Sequence, residues 1–339
     1  MTEDIARRGL LGAAAIGWGA GLVHRATAQP ARNPAPGTME VTLLGTGSPI
    51  LMPSRFGPST LVEAGGLRLL FDAGRACTLR LNQVHVPLGG IDAVFLTHYH
   101  SDHISGLPDL WACGFIQAPY FGRKSALRVF GPPGATRLCD NLRVAFADDI
   151  RIRMADEGTP EVATGLAPHE FPEDGGTVFD EADVRVTSFA VDHGPLIRPA
   201  VGYRIDHARR SVLISGDTRF DDRVIEHGTG VDLLIHEVCT TPAGLEGFPQ
   251  AKAVSAHHTS PEEAGRVFAQ AKPRMAAFTH FVEITRPGFP AVPTAAIERQ
   301  ARLNWLGPLT IGEDLTRFTI GDDIRVEKLT QSAGLWPGY

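Results

Sequence analysis

The chain has 339 residues, of which 43% are hydrophobic and 21% are charged, as is typical of a globular protein with one large domain or two small ones. Its formal net charge of −6 argues against a nucleic-acid-binding protein that works through a broad basic surface. The net charge does not exclude a local basic patch.

Residues 1–28 have the features of an export signal. Arg7 and Arg8 precede a short Gly/Ala-rich apolar run, and the A-T-A sequence at 26–28 has the small-x-small form of a signal-peptidase site. Paired arginines ahead of a weakly hydrophobic run are similar to a twin-arginine signal, and the run is poor for a transmembrane helix. We therefore expect export to the periplasm, with no stable membrane insertion after signal removal. A plain secretory signal or an uncleaved anchor is the alternative.

After the signal, residues 29–38 contain three prolines and are predicted to form a flexible leader. A single folded domain is predicted for 39–330, followed by a C-terminal tail at 331–339. Its first part is rich in short apolar runs that predict β-strands at 39–44, 59–63, 68–72, 91–96 and 127–130.

The segment 148–182 is rich in Asp, Glu, Pro and Gly, and we expect an insertion over the site that sets specificity. Further strands are predicted at 184–191, 201–205, 211–214, 231–235 and 275–279. Ser260, with Pro261 after it and Glu263 three residues on, predicts the N-terminus of a helix that leads into the last of these strands.

The segment H-Y-H-S-D-H at 98–103 follows a predicted buried strand. Three imidazoles and one carboxylate within six residues form a candidate metal site, and this ligand set suits Zn²⁺, with Mn²⁺ or Fe²⁺ as alternatives. His98 and His100 are two residues apart, so in an extended segment they point the same way and can share one ion. Asp102 and His103 come after the chain has turned and are placed to serve a second ion.

Other polar side chains also follow predicted strands. The residues concerned are His193, Asp217, His236 and His280. Because strand ends gathered at one edge of a sheet bring distant side chains together, we expect these residues and His98 to share one pocket.

Together these motifs resemble those of the metallo-β-lactamase superfamily. The segments at 44–48, 70–74, 236–237 and 258–264 are similar to its tRNA 3′-processing endonuclease (ribonuclease Z) and arylsulfatase branch. The resemblance covers nearly the whole mature chain. It implies the α/β class and a four-layer αββα sandwich with a two-metal site at one edge.

The resemblance also implies roles for individual residues. The ligands of the first metal would be His98, His100 and His193, those of the second Asp102, His103 and His280, and Asp217 would bridge the two. The cofactors would be two divalent ions, with Zn²⁺ favoured. The implied catalytic residues are His258, Glu237, His236 and Asp102, and His257 is an open alternative to His258 as the proton donor.

Three features separate this chain from tRNA-processing enzymes: the export signal, the acidic balance and the lack of a clear basic Gly/Pro-rich arm. We therefore expect an exported two-metal hydrolase that cleaves an aryl sulfate or phosphodiester with a metal-bound hydroxide. The expected partners are a small-molecule ester and, by analogy, a second copy of the chain, with nucleic acid disfavoured. The alternatives are a ribonuclease Z-like endonuclease, a lactone or cyclic-nucleotide hydrolase on the same site, and a metal-binding protein without turnover.

Overall fold

The structure is a computed structural model that describes residues 34–117 and 122–330. The predicted export signal at 1–28, the start of the predicted leader and the predicted tail at 331–339 lie outside the described residues, so these assignments stay predictions. Within the two described ranges, no helix is long and apolar enough to cross a lipid bilayer.

Two mixed β-sheets form the centre of the described part of the chain. The strands of the first sheet are β1 (Met39–Gly45), β2 (Ser59–Ala64), β3 (Leu67–Phe71), β4 (Ala93–Phe95), β5 (Leu127–Gly131), β6 (Leu166–Glu170), β14 (Thr316–Ile320) and β15 (Ile324–Lys328). Their order across the sheet is β15-β14-β1-β2-β3-β4-β5-β6.

The second sheet contains the strands on which most of the later motifs lie. Its strands are β7 (Gly175–Glu181), β8 (Val184–Ala190), β9 (Val201–His207), β10 (Arg210–Ile214), β11 (Leu233–Thr240), β12 (Met275–Glu283) and β13 (Leu309–Ile311). Their order is β13-β12-β11-β10-β9-β8-β7, with β10 to β13 parallel.

Helices cover the outer face of each sheet. The α-helices are α1 (Cys77–Gln83), α2 (Ser101–Ile104), α3 (Leu107–Gly114), α4 (Ala135–Ala145), α5 (Ala147–Asp156), α6 (Asp222–Gly228), α7 (Pro249–Ser255), α8 (Pro261–Ala271) and α9 (Thr294–Ala301). Ser260 and Glu263 form a reciprocal capping box at the start of α8, as predicted.

Three buried hydrophobic clusters separate the layers. One lies between the sheets and includes Phe95 of β4 and Tyr203 of β9. A second packs β3 to β5 against the first helices through residues such as Trp111, and a third packs β11 and β12 against α8 through Phe268. The predicted four-layer αββα sandwich is confirmed.

A ladder of stacked rings fixes the register of the first sheet next to the candidate site. Phe71, Phe95, Phe130 and His169 are register partners on the neighbouring strands β3 to β6. Their successive ring centroids are 4.9, 4.8 and 4.5 Å apart, and such cross-strand aromatic contacts stabilise one pairing over its alternatives. The ladder holds the end of β3 beside the end of β4, where the first predicted ligands follow.

The segment 148–182 is more regular than its composition suggests. Most of it forms α5, a short 3₁₀ helix (Glu161–Thr164), β6 and β7, and these two strands are edge strands of the two sheets. The β6–β7 turn contacts the loop after His193 through an ion pair between Glu173 and Arg198 (2.7 Å). A role for this segment in specificity stays a prediction.

Candidate metal centre

One edge of the sandwich collects the polar side chains that follow β4, β8 and β10, together with two that lie inside β11 and β12. The backbone of His100 is extended, and α2 starts at the next residue, so Asp102 and His103 lie on its first turn. This change from extended chain to helix turns Asp102 and His103 away from the direction of His98 and His100. A sequence of only six residues thereby supplies two separate ligand groups.

The first group contains His98, His100, His193 and Asp217, whose potential ligand atoms all lie within 4.8 Å of one another. Nε2 of His98 lies 2.9 Å from Nδ1 of His100. The Asp217 Oδ2 atom lies 3.8 Å from Nε2 of His98 and 3.7 Å from Nε2 of His193. Three imidazole nitrogens thus converge on one carboxylate oxygen.

The second group contains Asp102, His103 and His280. Nε2 of His280 lies 3.3 Å from Oδ2 of Asp102 and 3.2 Å from Nε2 of His103. The Asp217 Oδ2 atom is 3.3 Å from Nε2 of His103 and 3.2 Å from Nε2 of His280. Asp217 therefore lies between the two groups, in the position of a bridging ligand.

The residues fit two metal ions by the chemistry of their donors. Nε2 of His193 and Oδ1 of Asp102 are buried and have no hydrogen-bond partner within the described part of the chain. A buried polar atom without a partner is costly, and several imidazole nitrogens and carboxylates around one point form the donor set that divalent ions such as Zn²⁺ bind. Seven side chains thus form the two ligand groups that the resemblance implied.

Electrostatics at this edge favour a charged Asp217 carboxylate. Burial disfavours the carboxylate charge, but the imidazoles of His280 and His103 hold the pKa of Asp217 well below its usual range. Burial also lowers the pKa of His193 to about 4, so this ring is neutral at pH 7 and free to act as a ligand.

Asp72 contacts a candidate ligand, although the sequence alone did not mark it as a site residue. Its Oδ2 atom accepts a hydrogen bond from the Thr97 hydroxyl (2.8 Å) and lies 2.7 Å from Nδ1 of His103. Its Oδ1 atom accepts from the Thr97 backbone N–H (2.8 Å). A carboxylate in this position fixes the tautomer of His103 and directs Nε2 of that ring at the second ligand group. The signal in the sequence is its place at the end of β3, beside the ligand strand.

His280 is held by an unusual backbone. Its φ angle is +43°, in the left-handed region that residues other than glycine rarely adopt, and the pairing of β11 with β12 shifts by one residue at this point. Nε2 of His280 faces Asp102 and Asp217 in this conformation. Local strain that is retained at a ligand position is consistent with a functional constraint.

Glu237 and His258 form a buried pair beside the two groups. Nδ1 of His258 lies 2.9 Å from Oε1 of Glu237, which also accepts the backbone N–H groups of Thr218 (3.2 Å) and Thr259 (3.1 Å). A ring nitrogen of His258 lies within 4.8 Å of ligand atoms of Asp217 and His280. Burial lowers the pKa of His258 to about 4 and raises that of Glu237 well above its usual value.

His236 is not part of this arrangement. It lies inside β11 rather than past its end, and its ring contacts Phe268 of α8, with centroids 6.1 Å apart. Because successive side chains of a strand point to opposite faces, Glu237 faces the candidate site and His236 faces the helices. This placement argues against the direct catalytic role that the resemblance implied for His236.

His257 lies at the rim of the site rather than in it. Its ring is half-buried, and its centroid is 5.1 Å from that of His193 and 4.7 Å from that of His258. Its backbone carbonyl oxygen lies 2.8 Å from Nδ1 of His193 and so fixes that ring. Of the two neighbouring histidines, His258 is the one with a carboxylate partner.

The chain matches known proteins both in sequence and in fold. Residues 67–281 match the family model described as a β-lactamase superfamily domain. The ribonuclease Z of Mycobacterium marinum is 35% identical over 288 residues, which cover 83% of this chain and 99% of that protein.

Two solved structures show a similar fold. The metallo-β-lactamase fold protein YhfI of Bacillus subtilis has a TM-score of 0.61 at 22% identity and covers 81% of this chain and 97% of its own. The short form of human tRNase Z has a TM-score of 0.58 at 23% identity and covers 82% of this chain and 98% of its own.

These comparisons correct two expectations from the sequence. The expected aryl sulfate or other small-molecule ester substrate and the disfavoured nucleic acid are both wrong, because relatives that match over nearly their whole length are named ribonuclease Z. The error has a physical origin: a net charge of −6 is a sum over the whole chain and does not report the charge next to one site.

Proposed function

The chain belongs to the metallo-β-lactamase superfamily and, within it, to the family of the ribonuclease Z proteins, and from this premise we propose that it is an endonuclease that hydrolyses a phosphodiester bond of precursor transfer RNA. The coarser statement, a metal-dependent hydrolase of this superfamily, follows from family membership alone. The finer one is supported by a single observation in the structure. The Asp217 Oδ2 atom lies between the two ligand groups, and the hydrogen-bonded pair of His258 and Glu237 lies beside them.

Seven residues would hold the metal ions: His98, His100, His193, Asp102, His103, His280 and Asp217. When bound, two divalent ions would supply an activated water and electrostatic stabilisation of the negative charge that develops on a phosphate under attack. The chain itself keeps the ligands in place, through Asp72 at His103 and through the His257 carbonyl at His193.

His258 is placed to move the proton that a phosphodiester cleavage requires. With Nδ1–H donated to Glu237, Nε2 of the neutral ring has a free lone pair, which can take up a proton from the attacking water and pass it to the leaving oxygen. Glu237 accepts three N–H groups at Oε1, so its position is fixed, and it holds the His258 ring in one tautomer and orientation. His258 is therefore the residue proposed to transfer the proton, with Glu237 as the residue that orients it.

Cleavage of a precursor transfer RNA with a 3′ extension tests this proposal. The metal-loaded protein should release the extension, and the small phosphodiester bis(p-nitrophenyl) phosphate should be hydrolysed as well. The variant His258→Gln should slow RNA cleavage and keep bound metal. A protein that hydrolyses the small diester but leaves the RNA uncut contradicts the RNA substrate and retains only phosphodiester chemistry.

We propose that residues 1–28 direct export of the protein. Export would determine which RNA the enzyme encounters. Cell fractionation with an N-terminal sequence of the recovered protein tests it. Recovery of uncleaved protein in the cytoplasm contradicts export.

A further inference from the structure

Two loops leave the second sheet side by side, next to the candidate metal centre. Thr240 and Glu283 are the last register partners of β11 and β12, and the backbone N–H of Ile284 donates to the Thr240 carbonyl (3.1 Å). The first loop leads through α7 to His258, and the second begins four residues after His280. These two loops therefore border the candidate site on the side of β11 and β12.

The loops carry two aromatic rings and one guanidinium in contact. The Arg286 guanidinium lies over the ring of Phe248, 4.6 Å from its centroid. The rings of Phe248 and Phe289 are 6.1 Å apart at 67°, and Gly244, with φ +90°, lets the Phe289 ring lie against the backbone. Reciprocal backbone hydrogen bonds between Arg286 and Phe289 (3.3 and 2.8 Å) hold the second loop in shape. We call Phe248, Arg286 and Phe289 the aromatic platform.

Arg286 is exposed, and no carboxylate of the described residues forms an ion pair with it. The acidic side chain on the first loop, Glu246, accepts a hydrogen bond from the Gly244 backbone N–H (2.7 Å). Arg286 therefore keeps its positive charge and the outer face of its planar group available to a ligand.

The rim formed by the segments that follow His193 and Asp217 is different. Each of its three arginines is paired with a carboxylate: Arg198 with Glu173, Arg219 with Asp192 and Arg223 with Asp221, at 2.7, 2.6 and 2.6 Å. A phosphate chain gains little from cations that are already neutralised. Of these two sides, the platform side is the one with a guanidinium that has no carboxylate partner among residues 34–117 and 122–330.

We propose that the aromatic platform binds a single-stranded stretch of the RNA substrate, with a nucleobase stacked on the Arg286 guanidinium and a neighbouring phosphate attracted by its charge. Aromatic rings and arginine planes bind unpaired bases in this way, whereas a duplex does not expose base faces. This inference rests on the proposed function, since it names where the same RNA lies beyond the bond that is cut.

Binding of a short fluorescent single-stranded oligoribonucleotide to the full-length, metal-loaded protein tests the platform, with a gel to verify that the probe stays intact. Arg286→Ala should weaken binding about tenfold, which corresponds to the loss of one stacked base. Arg286→Lys keeps the charge and loses the plane, so it should recover only part of that affinity. The slope of log affinity against log salt concentration should fall by about 0.7 in Arg286→Ala and stay unchanged in Arg286→Lys.

The matched control is Arg266→Lys. The Arg266 guanidinium also lies 4.6 Å from a ring centroid, that of Phe220, but it is paired with Glu263 at 3.6 Å. This variant should bind the oligonucleotide as the wild type does. Hydrolysis of bis(p-nitrophenyl) phosphate should be unchanged in all three variants, which shows that the fold and the site are intact.

Wild-type affinity in Arg286→Ala, or no binding by the wild type, overturns the platform. Wild-type affinity in Arg286→Lys overturns the stacking. Failure of the proposed function looks different: a wild type that binds the oligonucleotide through Arg286 but leaves precursor RNA uncut supports the platform and removes the endonuclease.

Discussion

Asp217 and Asp314 are equally buried, each with 3% of its surface exposed, but their surroundings differ. Asp314 accepts five hydrogen bonds from the chain: two from Thr46, one from the Phe56 backbone and two from Arg80. Its charge is matched by the buried Arg80 guanidinium at 2.9 Å. Asp314 is complete without any further ligand, and its network ties the β1 loop to α1.

Asp217 is surrounded by imidazoles instead. Four ring nitrogens lie 3.2 to 3.8 Å from its Oδ2 atom, and nearby polar atoms of His193 and Asp102 have no partner among the described residues. The difference teaches that burial of a carboxylate does not by itself mark a functional site. A functional site is marked instead by a cluster of polar side chains whose hydrogen bonds remain incomplete without a ligand.

The largest expected effect is that of Asp217→Ala on activity. Loss of the bridging carboxylate should lower kcat on bis(p-nitrophenyl) phosphate about a thousandfold, or about 4 kcal/mol of transition-state stabilisation. Metal analysis should show fewer bound ions, and circular dichroism an unchanged fold. Unchanged turnover in this variant contradicts the two-metal site. Asp217 would then be a structural carboxylate, as Asp314 is.

Asp314→Ala should have the opposite profile. It leaves Arg80 buried without its carboxylate, so the free energy of unfolding should fall by about 3 kcal/mol, while metal content stays unchanged. Denaturant unfolding measures this change. The control is Arg185→Gln, which breaks an exposed ion pair with Asp180 and should change stability by less than about 1 kcal/mol. A loss of metal in Asp314→Ala contradicts the purely structural role.

Asp72 shares one feature with Asp314 and one with Asp217. Its hydrogen bonds are complete, as those of Asp314 are, but one of its partners is the candidate ligand His103. In Asp72→Asn, the amide cannot accept from Thr97 and His103 with both of its terminal atoms. Metal affinity should fall about 10- to 100-fold, measured by competition with a chelator. The fold should persist. If the variant binds metal with the affinity of the wild type, Asp72 has a structural role like that of Asp314.

The sequence was most informative where the ligands are local. The segment 98–103 shows its metal chemistry in six residues, and the ends of β8 and β10 place His193 and Asp217 at the same edge. Asp72 also follows a strand, but its role depends on a contact with His103 across 31 residues of chain, which the sequence alone does not show.

Other misses have different physical causes. The two-residue period of a strand already forbids His236 and Glu237 from facing the same side, so this correction was open to sequence reasoning. The preference against nucleic acid failed because a summed charge hides pairing: Arg219 is neutralised and Arg286 is not, and only three-dimensional contacts separate them.

The smallest expected effect is that of replacing His236, a buried residue with an incomplete set of hydrogen bonds outside the two ligand groups. Its Nδ1 atom lies 2.8 Å from the Glu237 backbone oxygen and its Nε2 atom has no partner in the described ranges, yet no ligand group surrounds it. Burial lowers its pKa to about 4 in the folded protein. In the unfolded chain the His236 imidazole has a pKa of about 6.5, so it binds a proton at a higher pH than it does in the folded protein. Folding stability is therefore lost as the pH falls from 6.5 towards 4.

In His236→Leu this loss is absent, and the fall in unfolding free energy between pH 7 and pH 5.5 should be smaller than in the wild type by about 1 kcal/mol. Urea unfolding at the two pH values measures the difference, and activity at pH 7 should stay near that of the wild type. Equal pH dependence contradicts the lowered pKa of His236, and loss of turnover places this residue with the catalytic group. Near wild-type activity supports the conclusion that a buried polar atom without a partner marks function only where several donors converge.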